Sequence, residues 1–394
     1  MKVLFLSTLK GSPWGGSEEL WAWACERAVA AGHVPMVSRY EWDTIPARLA
    51  ELGTMGAQLQ YRPRRPGRIA RLFPRPKWLR EIEAFGPEVI CISQGGAYEC
   101  AGHRSMRPLL RWLNKGPGRE VPVVNVIQFN AEDAGVGHAA AEHARRLYQR
   151  AALNCFVAQD NIRIAEKKLG TTIPRTKVVV NPVNLRDTSM IPWPQSAGAA
   201  RPPNFACVAR LDQRTKGQET MLRILGSPAW RQREWTLSFY GEGPDRERYE
   251  RIIAESGLGN RVRFRGHTSD VRAIWAEHEV LLLPSRAEGT PLAMIEAMML
   301  GRPCMVCAVG GCAQWVDDDV EGFIAPEHSP EQVGAALERL WSARDRWPEI
   351  GLAARERAIR QTGQDPGEAL LNMLLDVSAE TRLGEPGHPG SRRP

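Results

Sequence analysis

Two carboxylates eight residues apart, in Glu288-Gly-Thr-Pro-Leu-Ala-Met-Ile-Glu296, flank a helix start. Thr290 is a suitable N-cap, and Pro291 fits the first helical position, whose N–H has no helical partner in any case. Leu292, Ile295, Glu296 and Met299 then recur at i, i+3, i+4 and i+7, the spacing of a buried stripe. A Glu on such a face is costly to bury alone, so Glu296 is expected to meet a ligand or a buried partner. Glu288 precedes the helix, where backbone N–H groups and the positive dipole end attract phosphate. One helix would hold a phosphate at its tip, on the N–H groups of Gly289, Thr290 and Leu292, and a hydroxyl-rich group along its side. That chemistry suits a nucleotide-sugar.

Cations for the same phosphate stand upstream. Arg210 follows a predicted strand, and Lys216 precedes Gly217 at a loop-to-helix junction. Near the N-terminus, Gly15-Gly16 lets backbone come close to a phosphate or forms a plain strand-to-helix turn. Trp14, beside it, either stacks on an acceptor sugar or packs in the core.

The elements that must position these residues alternate between β-type runs and helical segments, which implies mainly parallel sheets. Residues 2–7 form the first strand, followed by the glycine loop and a helix from about Ser17, which would cap it, to Gly32. Further runs lie at 34–38, 89–93, 121–129 and 154–159, and Lys177-Val-Val-Val-Asn181-Pro-Val closes the first domain. The expected divisions are a first domain over 1–185, a linker over 186–203 rich in Pro, Ser, Ala and Gly, and a second domain over 204–345. Helices follow over 346–380, then a disordered tail over 381–394.

The 394 residues suffice for two ordinary domains. No run of 18 apolar residues exists, so no membrane-spanning helix is expected, and the first seven residues read as a strand rather than a signal peptide. The eight Cys are scattered, and Cys304-Met-Val-Cys307 reads as a buried strand with packed thiols, which favours a reducing, cytoplasmic compartment. Asp317-Asp-Asp319 has the D-x-D form of a metal site but falls in a loop and reads as a solvated acidic turn. No metal and no cofactor are expected. Residues 1–185 carry 26 Lys+Arg and 16 Asp+Glu, and the remainder carries 26 and 29. The excess gathers at 62–80, where eight cations stand without an acid and Ile69, Leu72, Phe73, Trp78 and Leu79 supply an apolar side. This stretch is a solvated face, a dock for anionic membrane or a holder of an anionic acceptor. No nucleic-acid-binding module accompanies it.

The E-x7-E pattern, with Val309-Gly310-Gly311 after it, resembles the retaining glycosyltransferases of family 4, which have the GT-B fold. Val208-Ala-Arg210…Lys216-Gly217, Phe239-Tyr-Gly241-Glu-Gly243, Val262–Gly266, Val280–Ser285 and Glu321-Gly322 follow that family's order, densely over 205–360 and thinly over 40–180. The resemblance implies an α/β architecture of two facing Rossmann-like domains, acceptor on the first and nucleotide-sugar on the second, with a final helix crossing back. It implies that Glu296 accepts from ribose hydroxyls, that Glu288 contacts the transferred sugar, and that Arg210 and Lys216 stabilise the leaving phosphate. Gly15 and Gly16 would approach the donor phosphates and the His267 backbone the base. Where the family carries a first-domain His, this chain has Gln128, with Asn130 near it, both expected to bind sugar hydroxyls. The implied reaction moves a sugar from a UDP- or GDP-sugar to a glycan, glycolipid or small-molecule hydroxyl. Alternatives are a nucleotide-sugar hydrolase or epimerase of the same fold, and an NAD-dependent oxidoreductase, against which Gly11…Gly15-Gly16 lacks the G-x-G-x-x-G spacing.

Overall fold

The computed structural model describes residues 1–64, 75–132, 135–185, 187–194 and 202–383. The chain forms two compact units, Met1–Pro182 with Gln364–Pro394, and Val183–Gly363.

Unit 1 contains strands β1 (Lys2–Ser7), β2 (Val34–Tyr40), β3 (Gln58–Arg62), β4 (Val89–Gln94), β5 (Val123–Ile127), β6 (Leu153–Phe156) and β7 (Thr176–Val178). They form one parallel sheet in the order β3-β2-β1-β4-β5-β6-β7. Val89-Ile-Cys-Ile-Ser-Gln94 is buried along its whole length, as expected of a parallel strand covered on both faces. The strand order reverses between β1 and β4, and such a switch point opens a crevice at the carboxyl ends of the strands.

The first helix, Gly16–Ala30, has Gly15 at its N-cap, so Ser17 lies inside the helix and does not cap it. Its Leu20, Trp21, Ala24, Cys25 and Ala28 join one core cluster with Leu370, Leu371, Leu374 and Val377 of the last helix, Pro366–Leu383. Arg27 adds donation from Nε and Nη2 to Asp365 Oδ2, at 3.0 and 2.5 Å. The last helix therefore belongs to unit 1. It extends to Leu383, three residues into the expected tail, and 384–394 lie outside the described residues.

Unit 2 contains β8 (Asn204–Val208), β9 (Thr236–Tyr240), β10 (Val262–Gly266), β11 (Val280–Leu283), β12 (Cys304–Cys307) and β13 (Gly322–Ala325). Their parallel order is β10-β9-β8-β11-β12-β13, with the reversal between β8 and β11. The Trp347–Thr362 helix packs here, against the Leu292–Met299 helix.

Two expectations need correction. Much of the expected linker is part of unit 2: Arg302 Nη2 donates to Pro192 O at 2.8 Å, the same guanidinium lies 5.0 Å from the Trp193 ring, and Arg272 Nη1 donates to Asp187 O at 2.8 Å. Residues 186 and 195–201 lie outside the description. The basic stretch also loses a member, because Arg62 is 1% exposed, bonds Ser38 O and Oγ and Ser7 O, and lies over the Tyr40 and Trp78 rings. Trp78 and Leu79 point into the same core, so the apolar side attributed to the stretch is there partly interior. Residues 65–74, with Arg65, Arg68 and Arg71, lie outside the description.

Docking of the last helix makes a stability prediction. A Cβ on Gly367 would stand 2.6 Å from Trp23 Cβ and 2.7 Å from its backbone carbon. Gly367→Ala should destabilise unit 1 by roughly 1–3 kcal/mol, the scale of overpacking. Urea unfolding checks it, and an unchanged midpoint would show that the first helix yields.

Candidate active site

Loops after β8, β11 and β12 meet at the switch point of unit 2. After β8, Leu211 N donates to Glu242 O (3.1 Å), and Gln218 Nε2 donates to Arg210 O (2.9 Å). Asp212 caps the short Gln213–Lys216 helix by accepting from Arg214 N, and Gly217 ends it at φ 62°. Arg286 N and Ala287 N, after β11, both donate to Thr215 O, at 2.8 and 3.2 Å. These bonds bring Lys216 to Glu288. The Lys216 ammonium stands 2.6 Å from Glu288 Oε1, and Ser285 Oγ donates to the same oxygen at 2.6 Å. Both partners use Oε1, and Oε2 accepts from no other described residue. Glu288 is only 6% exposed, so its charge needs this pairing.

The loop after β12 closes the arrangement. Gly311 N donates to Gly289 O at 2.6 Å, and a Cβ on Gly310 would lie 2.3 Å from both Glu288 O and Gly289 O. Gly310 also has φ 57°, so the Gly-Gly turn is required by space and by conformation.

The helix after Glu288 begins one residue later than expected. Pro291, at φ −70° and ψ 116°, occupies the N-cap, and Leu292 is the first helical residue. Thr290 is a loop residue, 7% exposed. From Met294 onward the helix is buried all round, not only along a stripe. Glu296 Oε1 accepts from Asn184 N at 3.2 Å. Burial pushes the Glu296 carboxyl above its usual range, opposed by the backbone and side-chain bonds from Asn184. Its partner is therefore an amide rather than an internal Arg or Lys.

Arg210 is exposed, and its guanidinium makes no ion pair among the described residues. His267 is exposed after β10, whose Gly266 O accepts from Gly241 N. Three strand spacings separate β10 from β11, roughly 14 Å. Asp317 pairs with Arg357 at 2.6 Å, Asp318 with Arg339 at 2.9 Å, and Asp319 with Arg339 at 3.6 Å.

The remaining candidates belong to unit 1. Trp14 is half-buried, packs edge-on against Trp21 at 5.5 Å, and donates from Nε1 to Glu19 Oε1 at 2.6 Å. Gly15 and Gly16 open the first helix. Gln128 and Asn130 follow β5 and are buried. Gln128 Oε1 accepts from Asn181 Nδ2 at 2.6 Å, while Gln128 Nε2 and Asn181 Oδ1 have no partner among the described residues. Asn130 Nδ2 donates to Asn161 O at 3.3 Å. Sequence reasoning missed Ser285, Asn184 and Asn181 as partners. Their only local signal is a polar residue beside a predicted strand end or a proline.

Residues 202–343 match the family model described as Glycosyl transferases group 1. A Mycobacterium tuberculosis GDP-mannose-dependent alpha-(1-6)-phosphatidylinositol monomannoside mannosyltransferase is 29% identical over 182 residues, 44% of this chain and 47% of that protein. A Streptomyces griseus D-inositol 3-phosphate glycosyltransferase is 35% identical over 114 residues, 28% of this chain and 24% of that protein. The chain spans less than half the length of these relatives. Among solved structures, Anabaena HepE in complex with UDP superposes with a TM-score of 0.72 at 17% identity, covering 97% of this chain and all of that one. Sucrose-phosphate synthase from Thermosynechococcus elongatus gives 0.72 at 16% identity, covering 98% of this chain and 100% of that one. The fold is GT-B: two Rossmann-like α/β units with parallel sheets. Within unit 2, residues 202–343 are similar in sequence to the glycosyl transferases of group 1.

Two outcomes follow from these contacts. Lys216→Met should cost more stability than Lys216→Met with Glu288→Gln, because the single variant leaves a buried carboxylate without its cation. Chemical unfolding of the double-mutant cycle reads the difference, and additive losses would deny the pairing. In unit 1, burial pushes Glu18 from 4.5 up to about 7, against a bond from Ser7 and the charge of Arg39. A carboxyl raised by folding lends stability that is complete below pH 4.5 and is lost as pH rises to about 7. Glu18→Gln should remove that decline, worth roughly 3 kcal/mol at most. Thermal unfolding from pH 4.5 to 8 tests it, since parallel profiles for the two proteins would mean that Glu18 ionises normally.

Proposed function

We propose that the chain is a metal-independent, retaining glycosyltransferase that transfers a hexose from a UDP- or GDP-sugar to a hydroxyl of a glycan, glycolipid or small molecule. The observation that carries this reading is Glu288: its Oε1 is held by Lys216 and Ser285, so Oε2 remains for a sugar hydroxyl. Lys216 has three N–H donors and can hold Glu288 and a phosphate oxygen together. Arg210, without a carboxylate partner, adds a second cation. The helix tip adds backbone N–H groups from Gly289, Thr290 and Leu292.

In the proposed reaction the acceptor oxygen bonds to the anomeric carbon on the face from which the diphosphate leaves. The anomeric carbon–oxygen bond breaks with its electron pair going to the phosphate, and the acceptor proton goes to that phosphate oxygen. Arg210 and Lys216 stabilise the growing negative charge. Glu296 accepts from ribose hydroxyls, and the His267 backbone contacts the base. Unit 1 receives the acceptor, with Gln128 and Asn130 offered to hydroxyls. A cytoplasmic location and peripheral contact with anionic membrane through 62–80 are secondary proposals. The second is weakened because Arg62 is buried, Arg75 pairs with Glu83, and Lys77 pairs with Glu81.

Calorimetry against UDP-, GDP-, ADP- and dTDP-sugars tests the donor class, and the two Glu should then separate by role. Glu296→Gln should mainly weaken donor binding, because a ribose contact exists before and during reaction. Glu288→Gln should lower kcat more than donor affinity. Lys216→Ala and Arg210→Ala should each raise the barrier by about 2–4 kcal/mol, the scale for losing one donor to developing charge. Activity should survive EDTA. Near-normal kinetics in all four variants would move the site elsewhere.

A further inference from the structure

The switch point of unit 1 gathers cations that no carboxylate in the described structure pairs with. Lys10 lies in the loop after β1, half-buried, with its ammonium 5.9 Å from the centre of the Tyr40 ring. The Arg62 guanidinium, from the end of β3, stands 4.8 Å from the same ring. His103, after β4, is half-buried and contacts Tyr40 edge-on, with its Nδ1 3.4 Å from the Tyr40 hydroxyl. That hydroxyl also meets Ser105 Oγ at 2.8 Å. Neither Lys10 nor Arg62 has an ion-pair partner among the described residues, and the fully buried Arg62 Nε lacks any acceptor. The carboxylate facing this group from β4's side is Glu99, whose Oε2 accepts from Thr8 Oγ1 at 2.8 Å and from Gly95 N at 3.0 Å.

Arg62 donates to Ser38 O and Oγ and to Ser7 O, yet a buried guanidinium without a countercharge still costs several kcal/mol unless something compensates its charge. Here Arg62 and Tyr40 are each only 1% exposed, while Lys10, His103 and Ser105 remain reachable from solvent. We propose that Lys10, His103, Ser105 and the Tyr40 hydroxyl form a subsite for a phosphate group, with the buried Arg62 supplying positive potential across the ring. The hydroxyls of Tyr40 and Ser105 turn to donate to the phosphate oxygens, and the Lys10 ammonium contributes a charge-assisted bond. The binding claim stands on unit 1 alone. That the phosphate is carried by the acceptor rests on the proposed function, and a free phosphate acting as an effector has the same chemistry.

His103 provides an independent readout. Burial pushes its pKa down, and the charges of Lys10 and Arg62 push it further the same way. The titratable groups facing it are Lys10, Arg62 and Tyr40, with Glu99 beyond. A bound phosphate opposes those cations and must raise the His103 pKa.

The test uses the full chain carrying Lys216→Met, Glu288→Gln and Arg210→Ala, so that both cations of the phosphate contact proposed for unit 2 are removed without leaving a buried carboxylate unpaired. Inorganic phosphate is titrated by calorimetry, and the imidazole of His103 is followed by NMR. Added Lys10→Met should weaken phosphate binding by roughly tenfold, the scale for one charge-assisted bond, and His103→Gln should weaken it further. Phosphate should move the His103 titration to higher pH. Unchanged affinity in Lys10→Met, or a His103 titration that phosphate does not move, overturns the proposal. Glucose 6-phosphate distinguishes the sources: tighter binding than inorganic phosphate assigns the group to an acceptor, and equal binding assigns a free anion. A UDP titration of the unaltered protein reports separately on the donor reading, so either can fail without the other.

Discussion

Glu288 carries a charge at a place almost without water, and the loops around it are arranged to keep that charge paired. Lys216 must reach it from the end of a short helix 72 residues earlier in the chain, at 2.6 Å. This is possible because β8 and β11 are neighbours in the sheet although β9 and β10 lie between them in sequence. Close packing then dictates small residues. Gly310 has no space for a Cβ beside Glu288 O, and Gly217 has none beside Pro284 O, at 2.4 Å, or His328 Nε2, at 2.3 Å. The glycines, the Lys–Glu pair and the helix start form one mechanical unit, set by strand order.

The two units share a parallel topology with one reversal each, yet their crevices have different electrostatic character. In unit 2 the buried carboxylate and the ammonium neutralise one another, and Arg210 is left exposed. Burial disfavours carboxylates in both units: in unit 1 Glu18 is pushed to about 7 and Glu99 is also raised, as Glu296 is in unit 2. Lys10 and Arg62 have no carboxylate partner among the described residues. Part of the charge excess of the N-terminal half therefore lies inside the fold and not on the surface. Arg62 illustrates this, being a member of a cationic run that the fold withdraws into the core.

What the sequence by itself determined was local. The β/α alternation, the carboxylate pair, the Gly-Gly turn and the proline that begins a helix are legible because periodicity, glycine and proline act through near neighbours. The same signals led to the GT-B fold, since the order of short motifs encodes the order of elements. Only tertiary structure decided which charges have partners. Ser285 and Asn184 become ligands of Glu288 and Glu296 through chain crossings with no sequence period. Residues 187–193 read as linker by composition, yet Arg302 and Arg272 fasten them to unit 2. The helix N-cap moved from Thr290 to Pro291 because the turn at Gly310 and Gly311 holds Gly289 in the loop. In each case a contact between distant segments overrode a preference set by adjacent residues, because a buried charge or a close backbone approach is worth more than a capping bond.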